Sequence, residues 1–431
     1  MKILIKNAYA VLPEGYDKSC SVAIENGVIT AVGAVPPDFN ADETIDAKGY
    51  LLTPGFIDAH THVHMTALRN RADDLPFTAW LFENVMPMEN TLTTQEAYWS
   101  VQLAIMELLR SGATCFLDMH MFPGTLGRAT VDAGMRAVLS RGLTGGADDA
   151  EGGARRIREA KQDIKRFQGE NLLTFMVGPH APYTCDEGYL KEVAALAREL
   201  DVGIHTHLSE SEDEQKTVRE KYGCTPAEFY DRCGLLGERT VCAHCVQLSE
   251  SDMALLAARG SSVAHNAASN MKLGNGFADV PALLSHGINV CLGTDSSASN
   301  NSLSMLREMQ LVSLIHKGTH RDATAVSADE VFDMATKNGA KALGLGDKTG
   351  EIRTGMRADL ALFDMSSVGF FPVGNPKAAL CYSSAGLCAD TVLVDGKILL
   401  KHGEFKTIDA ARVKYEIEKL DQRLTGKEGK K

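Results

Sequence analysis

The central stretch of the chain alternates short apolar runs with segments of helical period. The runs are GFIDAH (55–60), ATCFLDMH (113–120), RAVLSRGL (136–143), LLTFMVGPH (172–180), VGIHTH (202–207), TVCAHC (240–245), SSVAHN (261–266) and NVCLGTD (289–295). Among the segments between them, residues 93–112 open with Thr93 and Glu96 at capping-box spacing and stop at Gly112. Leu190, Val193, Ala197 and Leu200 share one face of 186–200, and 327–344 opens with a second capping box, Ser327 and Glu330. Buried strands alternating with helices require a parallel sheet. Eight such units fit a closed, TIM-type (β/α)8 barrel over residues 55–349.

The two ends of the chain read as β. CSVAIENGVITAVG sets two apolar runs about Asn26-Gly27, and TVLVDGKILLKHGEF (391–405) repeats the pattern about Asp395-Gly396, both hairpin signals. ADLALFDM (358–365) is a further strand. Neither end can close a core alone, so residues 1–54 and 350–431 are expected to pair into one small sheet domain. Residues 408–424 have helical spacing, and the tail Gly426–Lys431 is expected to fray.

Composition narrows the class. Hydrophobic residues are 44% and charged residues 23% of 431, the balance of a globular enzyme with a large core. A net charge of −12 disfavours nucleic acid and anionic membrane surfaces as partners. No apolar run approaches the length of a membrane span, and the N-terminus does not read as a signal peptide. The ten cysteines are scattered, as in a reducing cytoplasm. One Cys-x-x-Cys pair, Cys242 and Cys245, lacks the second pair that a structural zinc site would want.

Nearly every apolar run ends in a residue able to bind metal or move a proton: His60 and His62, His120, Arg141, His180, His207, His244, His265 and Asp295. In an α/β barrel these strand ends converge on one mouth. His60 and His62 stand at i and i+2 and point the same way along a strand. His207 and Asp295 complete a set of three imidazoles and a carboxylate, suited to one divalent ion, Zn²⁺ or Fe²⁺. Asp295 is also a fair helix N-cap. Glu210, three residues past His207, is placed to exchange a proton with an activated water, or else is a solvated acid of the run SESEDEQ. His244 can steady developing negative charge, and His265 could do likewise. His64 reads as loop or as support for the cluster. The long connection 65–92, with Glu83 and Glu89, is either a lid over the mouth or a pair of short helices packed on the barrel.

PGFIDAHTH, HTHLSE, the AHC of CAHC and LGTDSSASNN, in this order, resemble the amidohydrolase superfamily, and the likeness covers essentially the whole chain. HMTALRN, WLFENVMPMENTLT, MRAVLSRGL, VGPHAPYTC and HNAASNMKLGNG resemble more narrowly its 5′-methylthioadenosine/S-adenosylhomocysteine deaminases. The resemblance implies a β-sandwich built from both termini beside the barrel. It places metal ligands at His60, His62, His207 and Asp295, a ribose-binding glutamate at Glu89, a substrate histidine at His180 and a ring-contacting glutamate at Glu210. Arginines for an amino-acid carboxylate fall on Arg141 and Arg155, with Arg156 a rival, and His64 stands where relatives often lack a histidine. The implied activity is hydrolytic deamination of an adenine nucleoside, acting on a C–N bond of a cyclic amidine, with Glu210, His244 and Asp295 catalytic and one divalent metal per chain. S-adenosylhomocysteine, 5′-methylthioadenosine, adenosine and 5′-deoxyadenosine are the candidate substrates, and a homo-oligomer is left open. A triazine hydrolase, a guanine-type deaminase and a non-catalytic scaffold are the rivals.

Overall fold

The computed structural model describes residues 1–426, so the expected fraying of 427–431 lies outside the described residues. Five strands open the chain: β1 (Lys2–Leu12), β2 (Gly15–Glu25), β3 (Val28–Val32), β4 (Glu43–Asp46) and β5 (Tyr50–Pro54). Eight follow: β6 (Phe56–Thr61), β7 (Ala113–His120), β8 (Arg136–Leu143), β9 (Leu173–Pro179), β10 (Gly203–Leu208), β11 (Thr240–His244), β12 (Ser262–His265) and β13 (Val290–Leu292). Four close it: β14 (Leu360–Asp364), β15 (Ala389–Val394), β16 (Lys397–Lys401) and β17 (Glu404–Phe405).

β6 to β13 form an 8-stranded sheet in sequence order, each strand parallel to the next. A parallel bridge between Thr61 and Asp295 brings its first and last edges together, so the barrel is nearly closed. Alternation sorts the side chains. Ile57, Ala59, Cys115, Leu117, Val138, Met176, Val241, Ala264 and Cys291 fill the interior. Their strand neighbours Phe56, Phe116, Leu139, Val177, Cys242, Val263 and Leu292 pack outward with the helices.

The helices start where their caps dictate. Thr93 and Glu96 make both capping-box bonds ahead of the helix Thr94–Arg110. Ser327 and Glu330 do the same for Ala328–Ala335, but the single helix expected over 327–344 is broken at Thr336 into Ala328–Ala335 and Lys337–Ala342. The Thr336 hydroxyl donates to the Phe332 carbonyl at 2.7 Å, and its backbone leaves helical geometry (φ −129°, ψ −97°).

The terminal strands form one 9-stranded sheet rather than two separate layers. Both expected hairpin turns are present with positive φ at each central residue: Asn26 50°, Gly27 80°, Asp395 53° and Gly396 73°. The sheet curls until these turns touch, and a Cβ on Gly396 would lie 2.7 Å from the Cα of Gly27. The curl encloses Ile3, Ile5, Val22, Ile24, Leu52, Leu360 and Leu393, so the two faces of the expected sandwich are halves of one sheet. Arg136, at the start of β8, joins this sheet to the barrel floor by donating to both oxygens of buried Asp359, at 2.6 and 3.0 Å. Removing one partner of such a buried pair costs on the order of 3–5 kcal/mol.

The connection 65–92 satisfies both of its readings. It forms a 3₁₀ turn (Val63–Leu68), a π-helical turn (Ala79–Val85) and a short helix (Met86–Glu89). Trp80 donates its indole N–H to the Ala298 carbonyl at 3.2 Å, and Met65, Leu68, Leu81 and Val85 pack with it against Leu273 and Ala298. These helices therefore close over the strand ends. The helix Ala410–Leu424 packs outside them, with Arg423 bonded to Glu96. Among the described residues no helix is long and apolar enough to cross a membrane. All ten cysteines are free, Cys242 and Cys245 included.

Candidate active site and metal centre

Backbone geometry decides which strand-end residues reach the mouth. Strict alternation from Ile57 and Ala59 would send His60 outward. The pairing of β6 with β7 slips between Asp58 and Thr61, and the extra residue turns His60 and His62 inward. His207 follows His205 on the inner face of β10, and His180 continues the inner row of Met176 and Gly178. His244 is out of phase with the interior residue Val241, but its φ of 74°, followed by 53° at Cys245, swings its ring into the mouth. The ring centroids of His60 and His244 lie 5.3 Å apart, and those of His180 and His207 4.8 Å.

The imidazoles are committed to one tautomer each. His62 Nδ1–H donates to the Met119 carbonyl at 2.7 Å, and His207 Nδ1–H donates to the His180 carbonyl at 2.7 Å. The Ser140 hydroxyl donates to the Asp118 carbonyl, so its oxygen accepts from His205 Nδ1–H at 2.9 Å. His205 Nε2 then accepts from His60 Nδ1–H at 2.7 Å. His60, His62 and His207 therefore each offer an Nε2 lone pair to the same point. Burial, joined by the neighbouring imidazoles, holds His207 well below the usual histidine range.

The donor set fits a cation. His62 Nε2 and His207 Nε2 stand 3.2 Å apart, where two lone pairs repel unless a positive charge lies between them. Ligands at zinc–nitrogen distances of about 2.0–2.1 Å and tetrahedral angles would be about 3.3 Å apart. His60 Nε2 is buried without a hydrogen-bond partner, and Asp295 Oδ1 lies 3.5 Å from it and 3.6 Å from His62 Nε2. Asp295 Oδ2 is fixed by the hydroxyls of Ser269 (2.6 Å) and Ser299 (2.9 Å). Burial pushes the Asp295 carboxyl up, but the imidazoles of His60, His244 and His62 outweigh it and hold it well below the carboxylate range.

Glu210 is buried beside this cluster rather than solvated, with Oε2 3.7 Å from His244 Nε2. Burial first, then the charges of Asp295 and Glu214, pushes its carboxyl well above the usual carboxylate range. Glu214 accepts from the backbone N–H groups of Ser209 (2.7 Å) and Glu210 (3.0 Å), which fixes the turn. The Asn270 amide donates to His244 Nδ1 at 2.8 Å, which leaves Nε2–H as a donor toward the mouth. Burial holds His244 down to about 3 and His180 to about 4, so both are neutral at pH 7. The Thr184 hydroxyl donates to Ala181 and accepts from His180 Nδ1–H, leaving His180 Nε2 as an acceptor. Glu89, in the lid, is buried with Oε1 2.6 Å from His64 Nε2.

Other strand-end residues face away from the mouth. His120 lies behind β7, 3.8 Å from Asp163. His265 packs on His316 of the helix Met305–His320, ring centroids 5.5 Å apart, so its expected part in charge stabilisation is not met by its position. Arg141 is one residue past inward-facing Ser140 and turns outward, donating Nε and Nη2 to Glu159 at 3.1 and 3.0 Å. Arg155 is 61% exposed with Nε 3.7 Å from the same glutamate. Arg156 bonds Asp149 and the Thr144 carbonyl. Sequence reading passed over His205, Ser140, Asn270 and Ser269. The repeat of His60-Thr61-His62 in His205-Thr206-His207 was the available signal for the first.

Comparison with known proteins agrees with this geometry. A curated 5-methylthioadenosine/S-adenosylhomocysteine deaminase of Desulforudis audaxviator is 42% identical over 98% of this chain and 99% of its own length. A 5′-deoxyadenosine deaminase of Methanothermobacter thermautotrophicus is 41% identical over 96% of this chain and 97% of its own. An adenosine deaminase of Xanthomonas campestris, solved with bound zinc, superposes with a TM-score of 0.93 at 32% identity, over 98% of each chain. The zinc complex of an Arthrobacter aurescens atrazine chlorohydrolase has a TM-score of 0.91 at 24% identity over 97% of this chain and 100% of that one, a likeness of fold. The amidohydrolase family model matches residues 51–399, the span that carries the barrel and its His–Asp cluster, and the chain belongs to the amidohydrolase family.

Proposed function

We propose that this chain is a metal-dependent hydrolase that deaminates the adenine ring of a nucleoside such as 5′-methylthioadenosine, S-adenosylhomocysteine, 5′-deoxyadenosine or adenosine. The observation that carries this reading is one constellation. A protonatable buried carboxyl, Glu210, and a neutral donor imidazole, His244, flank the cluster of His60, His62, His207 and Asp295, with a separate carboxylate, Glu89, in the lid. The names of the relatives supply the substrate class. A triazine hydrolase would share the cluster but leave Glu89 and His180 without a task.

We assign one Zn²⁺ per chain to His60, His62, His207 and Asp295, with Fe²⁺ as the alternative that the same donors accept. When bound, such an ion supplies Lewis-acid activation of water at neutral pH. Glu210 delivers its proton to ring N1 and makes C6 electrophilic. Water adds at C6, and Asp295 takes its proton. His244 Nε2–H donates to the oxygen as charge develops on it. Asp295 passes that proton to the amino group, the C6–N bond breaks and ammonia leaves, and the remaining C6–OH proton returns to Glu210 as the C6=O of the inosine-type product forms. Glu89 holds the ribose hydroxyls, the acceptor nitrogen of His180 meets the substrate, and the lid keeps bulk water out. The sheet of residues 1–54 and 350–431 and the barrel of 55–349 are proposed as the two structural units, in keeping with the change of sheet at Gly55.

The test is an ultraviolet deamination screen on zinc-loaded protein with the four adenine nucleosides, guanine and an aminotriazine. Turnover of at least one adenine nucleoside above the other two classes is expected. Turnover confined to guanine or the triazine would overturn the reading.

A further inference from the structure

His64 stands two residues past His62, and the reaction just described does not use it. It is buried in the 3₁₀ turn Val63–Leu68 at the barrel rim. Its Nε2 lies 2.6 Å from Oε1 of Glu89, the last residue of the lid helix Met86–Glu89. A carboxylate only accepts, so His64 Nε2–H is the donor. The other ring nitrogen, Nδ1, is buried and makes no hydrogen bond, and the ring packs on Phe122 with centroids 5.3 Å apart. Glu89 is thus the one polar partner of His64 among the described residues, and the bond joins two separate elements, the rim and the lid.

We propose that His64 is a positioning and specificity-determining residue. It latches the lid carboxylate to the rim so that Glu89 is already aimed to accept hydrogen bonds from the vicinal diol of a ribonucleoside. The proposal rests on the reading of Glu89 as the ribose-binding group. A glutamate at the end of a four-residue helix has three side-chain torsions to fix. Fixing them in the free protein removes that ordering cost from binding. His64 occupies one lone pair of Oε1 and leaves Oε2 free for the diol. Without the donor, the buried carboxylate loses its one fixed partner and turns from the diol. Losing one or both charge-assisted contacts weakens binding roughly tenfold to a hundredfold.

The experiment compares wild type, His64→Leu, His64→Gln and Glu89→Gln, all zinc-loaded with bound metal measured. The substrates are adenosine or 5′-methylthioadenosine, whichever the wild type turns over faster, and 2′,3′-dideoxyadenosine, which has no diol. His64→Leu should raise KM for the diol substrate roughly tenfold to a hundredfold, with kcat within a few-fold, metal content unchanged and the dideoxy substrate little affected. His64→Gln keeps an N–H donor and should restore most of the KM. Equal losses on both substrates, no loss on either, or loss of metal in His64→Leu would each overturn the latch. If Glu89→Gln itself fails to separate the two substrates, the ribose reading of Glu89 falls. If Glu89→Gln separates them and His64→Leu does not, the latch alone falls.

Discussion

Metal binding should depend on a residue that never touches the metal. The chain from the Asp118 carbonyl through Ser140 and His205 to His60 runs in one direction, with bonds of 2.9, 2.9 and 2.7 Å, and it keeps the hydrogen of His60 on Nδ1. Phenylalanine in place of His205 fills most of the same volume but offers no acceptor. His60 Nδ1–H would then be a buried donor without a partner, a penalty of about 1–3 kcal/mol, or roughly 5-fold to 150-fold in an equilibrium constant. Replacing the hydrogen-bond partners of metal-binding histidines costs about 10- to 100-fold in metal affinity, the same range. Glutamine at 205 keeps a carbonyl oxygen as acceptor and should recover most of the loss. The assay is competition for Zn²⁺ between apo-protein and a chromophoric chelator, with thermal melts of the apo-proteins to show that the fold persists. Wild-type affinity in His205→Phe, or equal weakening in His205→Gln and His205→Phe, would refute the relay.

Glu210 Oε1 accepts from the Asn275 amide at 3.2 Å; Glu210→Gln keeps the shape and that acceptor but cannot shuttle a proton, so kcat should fall roughly 10²–10⁴-fold or more, with metal content unchanged by elemental analysis. Burial first, then His316 and His244, holds His265 to about 3; burial, with His320 and Lys317 assisting and Asp279 opposing, holds His316 to about 4. Both folded values lie below the unfolded one, so their contribution to stability is complete above pH about 6.5 and is lost as pH falls toward the folded values, about 2 kcal/mol each by pH 5. Urea melts at pH 7 and pH 5 should show this slope, and His316→Leu should flatten it; a variant with the wild-type slope would count against the account. Arg141 faces the helices and holds Glu159, so Arg141→Met should lower kcat/KM for S-adenosylhomocysteine and 5′-methylthioadenosine alike; a loss confined to S-adenosylhomocysteine would instead assign the guanidinium to a substrate carboxylate. The shared loss would come from freeing the helix Ala150–Arg166 that Arg141 ties to β8.

The fold was readable because its signals are local. ATCFLDMH and RAVLSRGL coincide with β7 and β8, and the capping boxes at Thr93 and Ser327 start their helices in place. Asn26-Gly27 and Asp395-Gly396 mark turns because only a few residue types tolerate positive φ at both central positions. What could not be read is the tertiary outcome. Nothing near Asn26 shows that its turn meets the turn at Asp395-Gly396, and the break at Thr336 arises from a side-chain bond that any helical threonine could make or leave unmade.

The site was readable in type but not in facing. A strand buried on both sides is apolar on both, so a run such as RAVLSRGL does not say which row points inward. Ser140 was the clue: a polar residue inside an apolar strand needs a partner, and the barrel interior supplied His205. With Ser140 inward, Arg141 must face the helices, and by the same count His120 and His265 face outward while His180 and His207 face in. His60, His62 and His244 defy that count. The first two are turned inward by a one-residue slip in pairing, the third by a left-handed backbone. Neither device leaves a mark in composition or period. Both sit at residues proposed for chemistry, where a regular strand would have sent the side chain into the helical layer. Irregular backbone at a strand end is therefore a pointer to the site that the strand pattern alone cannot give: it marks His60, His62 and His244, and by its own positive φ of 60° Asp295.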